Sequence, residues 1–276
     1  MTDRATNSLK AKGRQVFSER AFLSFVDVTD PALLPEYHDW QVYDHIPENR
    51  ALPGVAWGER WTRIAGAGGL ERIGDHLAGV DSMTMYWFLP PYEESVAAWR
   101  KLGTDSIQWG RGPGIPGVQR PFMGFFTPVK GYAAPHALVS PEVLPYRPNT
   151  GVHITLTRMA EPMGHDAHLS YRREDRVRIP GLLDVPGVAG AWTFSLHEPT
   201  RPHWQQEQAD ALAPHELRVR LLYLDQDPLE VAGRLAEHDD GGSETEENIV
   251  FSAPLAACAP FQPCPPAASA SAGQDG

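Results

Sequence analysis

Cysteine is scarce in this sequence: Cys258 and Cys264 are the only two among 276 residues, and both sit near the C-terminal end. No disulfide framework can be built from them, so a reducing cytoplasm is the expected compartment. No apolar run approaches the roughly 20 residues that span a bilayer, and the opening stretch MTDRATNSLKAKGRQVF has no apolar h-region, so neither a membrane anchor nor a secretory signal is expected. Positive charge is also short. A formal net charge of -11 argues against general nucleic-acid binding, which needs a basic face. Chemical signatures are missing too: there is no serine nucleophile elbow, P-loop or zinc-protease helix. Glu71 stands where the third glycine of a dinucleotide fingerprint would follow Gly66 and Gly68. His165 and His168 lie one turn apart, with His197 and His203 further on, but without the spacing of a closed metal site. The expectation is a protein with no metal, no cofactor and a small-molecule partner.

What the chain does contain is a dense run of aromatic and acid-base residues. Between Tyr37 and Val55, YHDWQVYDHIPENRALPGV gathers His38, Asp39, Trp40, Tyr43, Asp44 and His45 ahead of Pro47 and Pro53-Gly54. Asp30 suits a helix N-cap and Pro31 a first helical position, with Pro35 as a rival first turn. Leu34, His38, Gln41 and His45 recur at helical spacing, which places His38 and His45 on one face. Pro47 lacks an N–H and crowds the preceding turn, so a kink or restart is expected there, and Pro53-Gly54 ends the helix. A strand is predicted from Val55 onward.

The spacing His45-x-Pro47-x5-Pro53-Gly54, directly after a helix rich in Tyr, Trp, Asp and His, resembles the EthD-like branch of the dimeric α/β-barrel (ferredoxin-like) superfamily. The order of elements agrees with that resemblance. Strands are predicted over 21–28, 55–64, 82–89 and 121–132, with helices before Pro47 and over 93–102. The second half repeats the order, with strands over 151–158, 191–196, 216–224 and 248–253 and helices over 165–177 and 228–237. At a shift of 133 residues Ile179-Pro180 falls on Ile46-Pro47, and Pro186-Gly187-Val188-Ala189 on Pro53-Gly54-Val55-Ala56, which reads as an internal duplication. The expected fold is therefore α+β: two tandem ferredoxin-like repeats in one chain, closing the barrel that shorter relatives build by dimerising. The expected divisions are a flexible arm over 1–18, a first repeat over 19–133, a Pro-rich linker over 134–150, a second repeat over 151–255 and a disordered tail over 256–276. The whole Pro- and Gly-rich stretch from Gly103 to Thr150 is a candidate linker and lid over a barrel mouth. Whether the fused chain pairs again as a homodimer is open.

The resemblance implies a cofactor-independent enzyme doing proton-transfer chemistry, of isomerase, cyclase or lyase type, on a small aromatic or polyketide-like metabolite in a barrel cavity. Its rivals are a haem- or O2-dependent oxidoreductase or monooxygenase on the same fold, and a non-catalytic small-molecule binder. In that reading His45 is the acid-base residue, Asp44 or Asp39 orients it, Tyr43 and His38 are polar contacts, and Trp40, Phe25 and Tyr86 form the wall. From the residues alone, His45 is either an acid-base group titrating near neutrality or a cap for a carbonyl freed before Pro47. Asp27 lies in an apolar strand, where a carboxylate is costly unless paired or facing a cavity. It either faces the pocket with Tyr86 or Thr84, or caps a loop near Thr29. Under the shift, Tyr43-Asp44-His45 becomes Arg176-Val177-Arg178, so the site is expected in the N-terminal half, with Arg178 or His153 supplied by the other.

Overall fold

The computed structural model describes residues 18–111, 115–200, 212–238, 249–258 and 260. The expected N-terminal arm up to residue 17, His203, Cys264 and most of the expected tail lie outside them. The first half comprises β1 (Ala21–Val28), helix α1, β2 (Val55–Arg63), a short β3 (Arg72–Ile73), β4 (Ser82–Phe88), α2 (Tyr92–Gln108) and β5 (Val118–Ala133). The second comprises β6 (Gly151–Arg158), helix α3, β7 (Val188–Pro199), β8 (Leu217–Leu224), α4 (Pro228–His238) and β9 (Ile249–Ala257). Helix α1 runs through Leu34–Trp40, Gln41–His45 and Ile46–Arg50, and α3 through His165–Arg173, Glu174–Arg178 and Ile179–Leu183.

All strands join one antiparallel sheet in the order β2-β4-β1-β5-β7-β8-β6-β9-β3. Because β2 also pairs with β9, with Trp61 opposite Ala257, the sheet closes into a barrel of eight strands with β3 as an appendage. Each half has the same internal order, β2-β4-β1-β5 and β7-β8-β6-β9. The two-repeat α+β architecture expected from the sequence is the one observed. The start of the Pro- and Gly-rich stretch continues α2, and the strand expected over 121–132 is the 16-residue β5, which pairs with both β1 and β7 and joins the halves. Pro141–Tyr146 forms a short helical segment pinned by Leu144 in the core and by Trp192 Nε1 donating to the Pro141 carbonyl at 2.9 Å.

The repeated prolines shape the helices by bending them open. In α1 the Ile46 N–H donates to the Gln41 carbonyl, five residues back, so the turn over Gln41–His45 is wide. Pro47 explains it: its ring would crowd the carbonyl four residues earlier, and a wider turn relieves the clash without ending the helix. In α3 the Ile179 N–H reaches Glu174 in the same way, just before Pro180. The Pro-Gly turns that follow admit the second helix of each half. A Cβ on Gly54 would lie 2.8 Å from the Ser95 Cα of α2, and one on Gly187 would lie 2.6 Å from Val231 of α4, at a backbone φ of +96° that favours glycine.

Strand alternation then sorts the side chains. Phe25, Met83, Met85, Trp87, Trp192 and Phe194 point inward and are at most 3% exposed. The interior that was expected to hold a ligand is thus a packed core, because large side chains from both halves meet at the axis of a narrow barrel. Space for a ligand lies outside the sheet, under the helices.

Candidate functional site

Under helices α3 and α4 a cavity of about 500 Å³ opens against the outer face of the second half. Its floor is β6 and β8, which present His153, Thr155, Arg220 and Leu222, and its roof is α3, which contributes Arg173, Val177 and Arg178 from the wide turn and its approach. Gly69, Leu70 and Arg72 close one side from the first half.

The space exists here, and not at the matching place in the first half, because of ring size. Strand pairing sets Phe22 opposite Tyr86 and His153 opposite Leu222, while Gly58 and Ala191, related by the shift of 133, face Tyr86 and Leu222. His153 therefore occupies the position of Phe22, and Leu222 that of Tyr86. In the first half Trp99 of α2 fills the gap, with ring centres 4.7 Å from Phe22 and 5.9 Å from Tyr86. With Val231 matching Val96, the counterpart of Trp99 is Arg234, which turns away to the Pro186 carbonyl and Gln226 at 2.8 and 2.7 Å.

Among the described residues, four arginines and no carboxylate line the cavity. From the floor, Arg220 Nη1 meets Glu174 Oε1 of the roof helix α3 at 2.7 Å, with both residues under 9% exposed. Burial pushes the Glu174 pKa up, but Arg220, Arg218 and Arg178 outweigh it and the net shift is downward, so the carboxylate stays ionised. His153 goes the other way: burial first, then Arg220 and Arg178, lower its pKa to about 3. The imidazole is neutral near pH 7 and keeps a lone pair. Its Nδ1 is buried without a hydrogen-bond partner among the described residues.

In the first half the expected site residues are scattered. His45 does stack on Trp40, with ring centres 4.5 Å apart, and presents an edge to Tyr86 at 6.5 Å. Its partner is Asn49, whose Nδ2 lies 3.3 Å from His45 Nδ1 and 2.6 Å from the His45 carbonyl. Burial and then Arg120 lower its pKa to about 3, so this ring too is neutral. Asp44 points away from it to Arg111 at 2.5 Å, Asp39 is exposed, and Tyr43 is 48% exposed. His38 Nδ1 instead meets Arg60 Nη1 at 2.9 Å. Phe25 faces the barrel core, on the side of the sheet opposite Thr84 and Tyr86. Asp27, past a bulge in β1, sits against Gly79, with its pKa raised by burial and by Asp81. Arg178 belongs to the second-half cavity.

No family model matches the sequence, and no curated protein matches it by sequence. Solved structures do match. A proposed monooxygenase from Fusobacterium nucleatum superposes with a TM-score of 0.53 at 8% identity, covering 87% of this chain and 93% of that one. An anthrone oxidase-like protein gives 0.47 at 10% identity, covering 87% and 92%. A dye-decolorizing protein from V. cholerae gives 0.45 at 9% identity, covering 87% and 94%. The fold is that of the dimeric α/β barrels. In this α/β barrel the cavity residues that sequence reasoning passed over are Arg72, Arg173 and Arg220. A signal for the last was present: Arg218 and Arg220 interrupt the apolar strand LRVRLLYL, where a charge is costly unless paired or facing polar space.

Proposed function

We propose that this chain is a small-molecule oxidoreductase whose substrate is an acidic or anionic organic molecule held in the second-half cavity. The observation that carries the reading is the neutral imidazole of His153 in a cavity walled by four arginines. Burial and the neighbouring arginines keep this imidazole neutral but weakly basic. A bound anionic substrate would offset the arginines, raise the basicity of His153 and let it take a proton from a C–H or O–H acid held against the cationic lining. The electron-rich anion left behind is what molecular oxygen oxidises. For an activated methylene, one oxygen atom becomes the new carbonyl and the other leaves as water with the two hydrogens. The choice of oxidation over simple proton transfer rests on fold analogy with the proposed monooxygenase from Fusobacterium nucleatum.

The residues also fit haem. Leu182, Leu222 and Leu235 offer apolar walls and His153 an imidazole nitrogen with no partner among the described residues. Bound there, haem would supply iron-centred redox chemistry. The test incubates host extract with the wild type in air, with the wild type under nitrogen, and with His153→Ala in air, following every compound by mass spectrometry. A compound consumed only by the wild type in air supports the proposal. Equal consumption under nitrogen replaces oxidation by isomerisation, cyclisation or elimination, and a Soret band in the purified protein separates the haem version from the cofactor-free one.

A further inference from the structure

We propose that the first half holds a separate site for a small oxyanion, seated between Arg60 and Arg120 beside Tyr37. The two halves place a buried arginine on the same row of the outer sheet face. In the second half the row runs Thr193, Arg220, Thr155 and Ser252 across β7, β8, β6 and β9; in the first it runs Arg60, Thr84, Ser24 and Met123 across β2, β4, β1 and β5. Arg220 has a counter-ion, Glu174, supplied by the wide turn of α3. The residue at the matching place in α1, 133 positions earlier, is Gln41.

Arg60 is 2% exposed, and none of its described contacts is a carboxylate: His38 Nδ1 at 2.9 Å, Cys258 Sγ at 3.4 Å and the face of Tyr37 at 5.6 Å. Arg120 reaches only the Ser24 and Tyr37 hydroxyls, each at 3.5 Å. No carboxylate lies within ion-pair distance of either guanidinium among the described residues. A buried charge left uncompensated is strongly destabilising, so Arg60, with the partly buried Arg120 against the same Tyr37, calls for an anion from outside the chain.

The surrounding polar atoms point to the same kind of ligand. Arg60 Nε, Thr84 Oγ1, Tyr86 Oη and Gln41 Oε1 are all buried with no partner, in side chains at most 4% exposed. Tyr37 links them, accepting from Gln41 Nε2 at 2.8 Å and lying over Arg60. Burial, with Tyr37, raises the Tyr86 pKa, so its phenol stays a donor. Guanidiniums and hydroxyls offer N–H and O–H groups to an oxyanion, and the Gln41 carbonyl can accept from one that keeps a hydrogen, as dihydrogen phosphate and bicarbonate do.

The test measures thermal unfolding of the full chain in chloride and then with increasing phosphate or bicarbonate at constant ionic strength. The variants are Gln41→Glu, which installs the counter-ion of the second half, and Arg178→Gln, which alters only the other cavity. Wild type and Arg178→Gln should show a saturable rise of roughly 5 to 10 °C at a hundredfold excess over Kd. Gln41→Glu should lose that rise and melt higher than wild type in chloride. The site is refuted by an absent rise in wild type, an equal rise in all three proteins, or a rise lost in Arg178→Gln.

Discussion

Glu59 is the carboxyl whose environment makes the sharpest forecast. It lies on the inward face of β2 between Trp57 and Trp61, paired across the sheet with Met85, and accepts from Asn149 Nδ2 at 2.9 Å. Burial raises its pKa from the ordinary 4.5 to about 7, against the pull of Asn149, Trp57 and Arg50. The folded chain therefore holds a proton that the unfolded chain has released, and stability falls as pH rises from 4.5 to about 7. At about 1.36 kcal/mol per pKa unit this weakens folding by at most ~3 kcal/mol above pH 7. Partial exposure at the barrel mouth reduces the figure to about 2 kcal/mol. Glu59→Gln keeps the acceptor for Asn149 and never ionises. It should match wild type near pH 4.5 and unfold roughly 4 to 8 °C higher at pH 8, read by calorimetry or circular dichroism at both pH values. A variant that is equally destabilised at both, or shows no pH-dependent difference from wild type, refutes the account of a carboxyl strained by burial.

The two neutral histidines act in the opposite sense. Their pKa values fall to about 3, so stability is lost as pH drops below the ordinary 6.5, and the double variant His45→Gln, His153→Gln should show a flatter acid-unfolding curve. Glu174→Gln removes the buried carboxylate 2.7 Å from Arg220 and should cost about 3–5 kcal/mol by urea denaturation, while replacing both residues by apolar ones of similar volume should cost much less. Trp99→Ala removes the ring that fills the first half; a loss of about 3–5 kcal/mol is expected, with a new cavity visible by xenon or indole binding. Substrate turnover should fall at least tenfold in His153→Ala and change less in His45→Ala. The reverse ranking would move the chemistry to the first half.

Much of this molecule was legible in one dimension because its signals are local. Alternation and breakers marked the strands, the 133-residue repeat announced two units of one kind, and the Pro47 and Pro180 positions marked where the helices deform, since a missing N–H acts on its own turn. The site was less accessible. The eye goes to His45 and its acidic neighbours, yet adjacency along a helix separates side chains by about 100°, so Asp44 turned to Arg111 while Asn49, one turn on, met the ring. Which half keeps open space was decided only in three dimensions, where Trp99 from a distant helix filled one pocket and Arg234 left the other. Charge compensation was likewise a tertiary matter. Arg220 and Glu174 are 46 residues apart, while in the first half Gln41 takes the place of Glu174 and Arg60 has no carboxylate within ion-pair distance among the described residues. Sequence determined the elements and their repetition because those follow from nearest neighbours; packing across the barrel decided which buried charges found partners, because burial joins residues that the chain keeps apart.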